Sequence, residues 1–247
     1  VLALLPFEPP WMEAAGMTCD FVGHPAAESA PPCPTETAAL RARLGLADRA
    51  PLLLVAPGSR KGEVRRMVPI FAEVTSRLAD ALEGLQTVVP VGEGVAAELP
   101  GLLEGMRPTP ALVTPEMGEA AKRAAFAAAE AGLVTSGTVS LEVAAAGTAH
   151  VSCYRPSWLT AAIARRLIRV DTANLVNLVA GERVVPEFLQ ERALPEPIAA
   201  ALAPLLTDEA ARAAHEAAFA RVLETLGRGG PAPSERAARS VLSRLNG

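Results

Sequence analysis

No apolar run in this 247-residue sequence approaches the roughly 20 residues that a membrane-spanning helix needs. No basic leader or small-residue cleavage site accompanies the apolar opening Val1–Phe7, so it does not read as a signal peptide. Cysteine is scarce. Cys19, Cys33 and Cys153 are scattered and odd in number, which excludes a disulfide framework and a CxxC metal pair and points to a reducing compartment. Positive charge is in deficit: 23 lysines and arginines face 27 aspartates and glutamates, and a net charge of −4 argues against a nucleic-acid binder. Aromatic residues amount to only 4%. Motifs are missing too. There is no GxxxxGK[ST] loop, no GxGxxG, no Gly-x-Ser-x-Gly elbow, no Asp-x-Asp, and no His/Cys/carboxylate cluster at metal-ligand spacing. The usual ATPase, dinucleotide, serine-hydrolase and metal-site readings are therefore weak.

What remains is apolar and regularly patterned. Half the residues are hydrophobic, enough for one large domain or one domain plus part of another. Val1–Leu5 reads as a buried strand entered from upstream, so the chain is read as a fragment with more protein expected before Val1. A short helix near Trp11–Ala15 and a strand at Phe21–Val22 follow, and the polar, proline-rich Ser29–Pro34 reads as an interdomain linker. Strands then alternate with helices: 52–55, 87–91, 111–114, 132–135 and 150–154 between helices 37–44, 63–82, 95–103, 118–129 and 139–145. Nearly all-apolar strands in such alternation indicate an α/β fold, a doubly wound parallel sheet covered on both faces. The tail carries four further helical stretches, Trp158–Ile168, Glu196–Leu206, Asp208–Leu226 and Ser234–Leu245.

Two turns at strand ends carry the chemistry. Thr135–Ser136–Gly137–Thr138 links an apolar strand to an alanine-rich helix, and its small residues leave backbone N–H groups and a positive helix end open to an anion. Glu142 lies one helical turn further on. With Val at position 139 it is no half of a capping box, which leaves its carboxylate for a sugar hydroxyl. The second turn is Pro57–Gly58–Ser59–Arg60–Lys61–Gly62, where glycines let the backbone bend closely and Arg60 offers a planar fork matched to phosphate oxygens. Ordinary βα turns could explain either alone; two in one sheet point to a nucleotide diphosphate. With no metal motif, charge on a departing diphosphate would fall to Arg60 and helix N-termini. Asn177, Glu187 and Gln190 read on their own as loop and cap residues, and His24 as structural.

These residues resemble one family, the lipid-A-disaccharide synthases, glycosyltransferases of the two-Rossmann-domain (GT-B) type. The matching segments are Leu4–Glu8, Phe21–Pro25, Pro57–Arg60, Ser136–Thr138 with Glu142, Tyr154–Arg155, Asn177–Gly181 and Val185–Gln190. The resemblance implies transfer of 2,3-diacylglucosamine from UDP to 2,3-diacylglucosamine 1-phosphate, giving the β-1,6 lipid A disaccharide and UDP, with no cofactor. It divides the chain into the end of an acceptor domain (1–30), a Rossmann-like UDP-sugar donor domain (31–206) and C-terminal helices packing back towards the acceptor domain (207–247). Arg60 with Gly58 and Ser59 would face the diphosphate, Ser136, Gly137 and Thr138 would present donors to it, and Glu142 would hold the ribose. Asn177, Glu187 and Gln190 would line the cleft near the donor. The general base is expected before Val1, so the fragment is expected to bind UDP and turn over slowly or not at all.

Acylated substrates imply work at the cytoplasmic face of the inner membrane. Trp158, Arg165, Arg166 and Arg169 edge an apolar stripe suited to that interface. The helical tail leaves a homodimer open. Two other readings stand beside this one: another UDP-sugar enzyme of the same architecture (the peptidoglycan N-acetylglucosaminyltransferase or UDP-N-acetylglucosamine epimerase type), and a non-catalytic nucleotide-binding module.

Overall fold

The computed structural model describes residues 1–156 and 172–245. The Trp158–Ile168 segment, with Trp158, Arg165 and Arg166, and Arg169 after it lie outside the described residues. In chain order the strands are β1 (Leu2–Ala3), β2 (Asp20–Phe21), β3 (Leu52–Ala56), β4 (Gln86–Pro90), β5 (Ala111–Val113), β6 (Ala131–Thr135), β7 (His150–Tyr154) and β8 (Glu187–Leu189). The described helices are α1 (Pro9–Ala14), α2 (Pro34–Arg43), α3 (Lys61–Ala81), α4 (Leu99–Leu102), α5 (Gly118–Ala128), α6 (Thr138–Ala145), α7 (Leu175–Ala180), α8 (Pro195–Thr207), α9 (Glu209–Thr225) and α10 (Pro233–Leu245).

Six strands form one parallel sheet in the order β5-β4-β3-β6-β7-β8. Its two faces follow from the period of two along each strand. Leu53 and Val55 of β3, Leu133 of β6 and Val151 of β7 pack with Phe71 and Leu78 of α3 and Ile198 and Leu202 of α8. Leu52, Leu54 and Ala56 turn the other way, onto Leu40 of α2, Phe126 of α5 and Val143 of α6. With helices on both faces, every residue of β3 and β6 is buried, which is why these strands read as continuous apolar runs. The fold is α/β and doubly wound.

The strand order reverses between β3 and β6. Helices α3 and α6, which follow these strands, lie on opposite faces, so their entry turns diverge and leave a crevice at the carboxyl edge. Helix α6 is held from behind by a third apolar cluster, in which Leu141 and Ala144 meet Val176 of α7 and Phe219, Val222 and Leu223 of α9.

Four local outcomes differ from the sequence reading. Val1–Leu5 is not a buried strand: β1 pairs only with β2, and Leu2 and Leu4 are exposed while Ala3 is buried. Residues 95–103 do not form one helix but a 3₁₀ turn at Glu93–Val95 and the separate α4. The Pro100 ring would meet the carbonyl of residue 96 in a continuous helix, so the helix restarts with proline in its first turn. Helix α7 and strand β8 were not foreseen. Asn174 caps α7, its Oδ1 accepting from Val176 N (2.9 Å) and Asn177 N (3.3 Å), and Gly181 ends the helix at φ +70°. At the other end of the chain, α10 returns to β2. Arg236 donates to the Phe21 carbonyl (2.9 Å) and Arg244 pairs with Asp20 (2.7 Å).

Candidate functional site

A cleft of about 800 Å³ opens along the carboxyl edge of β3, β4, β5 and β6, where the strand order reverses. The turn after β3 forms one wall. Gly58 sits at φ +117°, a conformation that L side chains rarely adopt, and a Cβ there would lie 2.2 Å from Oε2 of Glu63. That carboxylate is buried and accepts the Ser59 N–H at 3.1 Å, which fixes the loop against the start of α3. Arg60 is thereby left at the cleft edge, exposed and with no ion pair among the described residues.

The turn after β6 forms the opposite wall. Gly137 is the residue before α6, at φ +150°, and a Cβ on it would meet nothing within 4 Å, so the space above it is open. The N–H groups of Gly137, Thr138 and Val139 have no partner among the described residues and belong to the first turn of α6, where the helix end is positive. Ser136 differs. Its N–H donates to the Cys153 carbonyl (3.3 Å), and its hydroxyl donates to Glu187 Oε1 (3.1 Å) while accepting from Ser152 (2.6 Å). Both its donors are used within the protein. Thr135 Oγ1, on the cleft floor, is buried and has no partner among the described residues.

Each wall of the cleft carries both signs of charge. Glu63, Glu93, Glu119 and Glu142 line it against the cations Arg60 and Lys122. The carboxylates are not equivalent, because Glu63 is tied to Ser59 while Glu142 pairs with Lys122 Nζ at 2.8 Å and Glu119 approaches the same ammonium at 3.5 Å. Among the described residues, Arg60 and the N–H groups of Gly137, Thr138 and Val139 are donors without a partner at this cleft.

The structure gathers Gly58, Ser59, Arg60, Ser136, Gly137, Thr138 and Glu142 around one cleft. Asn177, Glu187 and Gln190 are not among its lining residues. The buried Asn177 exchanges two hydrogen bonds with the Val185 backbone, accepting at 2.8 Å and donating at 2.9 Å. Glu187 accepts from Ser136, from Thr172 Oγ1 (2.6 Å) and from Ala173 N (3.2 Å), so it ties β8 to the segment leading into α7. Gln190 follows β8 at φ +53° and its carbonyl accepts from Arg155. Glu142 is not left unpaired as the sequence suggested, since α5 brings Lys122 to it. His24 Nδ1 accepts the Ala26 N–H at 3.1 Å and caps a 3₁₀ turn. Sequence reasoning missed Glu63, Lys122 and Val139. Glu63 had a signal, its place three residues into a helix that follows a glycine turn. Lys122 had none, because its partner lies on another helix.

Among the described residues no three His, Cys, Asp or Glu side chains gather as a metal site, and no helix is long and apolar enough to cross a membrane.

The family model described as lipid-A-disaccharide synthetase matches residues 1–239. The chain belongs to that family. It is 50% identical to the lipid-A-disaccharide synthase of Ruegeria pomeroyi, over 100% of this chain and 62% of that protein, and 42% identical to that of Rhodospirillum centenum, over 98% and 60%. The chain spans about three fifths of the length of these family members. In fold it is similar to the UDP-GlcNAc 2-epimerase from Neisseria meningitidis bound to UDP-GlcNAc (TM-score 0.66, 14% identity, 98% of this chain and 61% of that one). It is also similar to WaaG, a glycosyltransferase involved in lipopolysaccharide biosynthesis (TM-score 0.52, 18% identity, 83% and 51%).

Proposed function

We propose that this chain is the donor-binding part of a glycosyltransferase that moves 2,3-diacylglucosamine from UDP to 2,3-diacylglucosamine 1-phosphate, forming the β-1,6 lipid A disaccharide and releasing UDP. One observation carries the reading. Three unpartnered N–H groups at the start of α6 and the unpaired Arg60 flank one cleft at the strand-order reversal. Family membership favours this reading over an epimerase or a non-catalytic module.

In this reading the diphosphate lies between the two walls, its oxygens taking the N–H groups of Gly137, Thr138 and Val139 and the Arg60 guanidinium. Negative charge grows on the leaving diphosphate as the glycosidic bond breaks, and fixed donors aimed at it need no reorganisation in the transition state. The ribose then faces Glu142. The proton of the attacking 6-hydroxyl has to go to a base, which this reading places in the acceptor domain of the whole protein. The substrates' acyl chains place the reaction at the inner-membrane surface, on its cytoplasmic side, with Trp158, Arg165, Arg166 and Arg169 as the contact.

The test supplies both acylated substrates to the full-length gene product and follows disaccharide and UDP together. Equimolar appearance of the two, slowed by about two orders of magnitude in Arg60→Ala, is expected. UDP release without disaccharide would overturn the reading.

A further inference from the structure

Lys122 stands where two cavities meet. The 800 Å³ cleft and a smaller pocket of about 230 Å³ beside His24 share Glu119, Lys122, Phe126 and Glu142 as a common wall. Lys122 projects from α5 across the Phe126 ring, 5.7 Å from its centre, and its Nζ meets Glu142 Oε2 at 2.8 Å. No hydrogen bond to Glu142 Oε1 occurs among the described residues. Burial works against the ammonium charge. The hydrogen bond and charge of Glu142, helped by Glu119, more than offset it and hold Lys122 above its ordinary value. The ion pair favours one rotamer of Glu142.

We propose that Lys122 is a positioning residue for ligand recognition: by taking Oε2 it fixes the Glu142 carboxylate so that Oε1 accepts from the ribose hydroxyls of a nucleoside diphosphate. The inference rests on the nucleotide reading above and deepens it. An exposed glutamate on a helix samples several rotamers, and ordering it costs part of what the hydrogen bond returns. An ammonium 2.8 Å away has already ordered it. A carboxylate acceptor makes a stronger bond to a hydroxyl than a neutral acceptor does. Lys122 touches no ligand hydroxyl in this scheme. It acts through Glu142.

The measurement is a ratio. Calorimetry gives Kd for UDP and for 2′,3′-dideoxy-UDP, two ligands of equal charge that differ only in the hydroxyls. The dideoxy ligand is expected to bind the wild-type chain about tenfold more weakly, the contribution of a hydrogen bond to a charged group. In Lys122→Met that ratio is expected to fall below about threefold, and in Lys122→Arg to remain near the wild-type value. Loss of positive charge alone weakens both ligands equally and leaves the ratio unchanged, as does a general loosening of the fold. An unchanged ratio in Lys122→Met therefore overturns the proposal. Lys122 is partly exposed, and Lys122→Leu, which also has no donor, reads the same ratio should the methionine variant not fold. Failure of the wild-type chain to bind UDP at all would instead sink the nucleotide reading, and this inference with it.

Discussion

At the scale of single residues, the site depends on positions where side-chain identity is fixed by space or by hydrogen-bond direction. Gly58 is required because a Cβ would strike Glu63, and Gly137 because its backbone lies at φ +150°. His150 shows how direction is set. The Thr148 carbonyl (3.1 Å) can only accept, so Nδ1 carries the proton and Nε2 accepts from Ser140 (2.7 Å), whose oxygen accepts in turn from Asn174 (2.8 Å). This chain of hydrogen bonds suits the neutral imidazole beneath α6. Burial lowers His150 from 6.5 to about 4, and burial lowers His24 and His215 in the same direction. Because the unfolded chain binds the proton more readily, stability is full above about 6.5 and declines as pH falls toward 4. His150 alone is expected to remove about 2 kcal/mol between pH 7 and 5. Its ring resonances in NMR should remain those of the neutral form at pH 5; a midpoint near 6.5 would contradict the burial argument.

At the scale of elements, much was legible. The five strands from Leu52 to Tyr154 betrayed themselves as apolar runs because both faces of the sheet are covered, and the turns after β3 and β6 followed from glycines placed close behind those strands. Strand β8 escaped because it is an edge strand. With one neighbour and partial burial, Glu187–Leu189 carries neither an apolar run nor a clean alternation. Helix α7 is only six residues long, too short to show a period of 3.6, although Asn174 and Gly181 marked its two ends. Residue roles were less legible than residue positions. Nothing in the spacing of Asn177 and Val185 says that one side chain imitates a strand partner for the other's backbone. Asn177→Ala removes both bonds and strands a buried N–H and C=O, so a loss of about 2–4 kcal/mol in urea unfolding is expected. A loss within about 0.5 kcal/mol would show that the segment re-forms without it.

At the scale of the molecule, the order of strands creates the site. Entry turns of α3 and α6 come from residues nearly 80 apart in sequence, and only the reversal between β3 and β6 sets them side by side. The helix that presents the N–H groups is buttressed by α7 and α9, so its position is set by the C-terminal third of the chain as much as by the sheet. The resulting cleft carries Arg60 and Glu63 on one wall and Lys122 paired with Glu142 on the other. The central claim, that two turns form one UDP cradle, is tested most directly by isothermal titration calorimetry of UDP into the wild-type and Arg60→Ala chains in EDTA. One saturable site whose affinity drops about tenfold or more in Arg60→Ala is the expected result. No binding heat, or equal affinity in the two proteins, would contradict it.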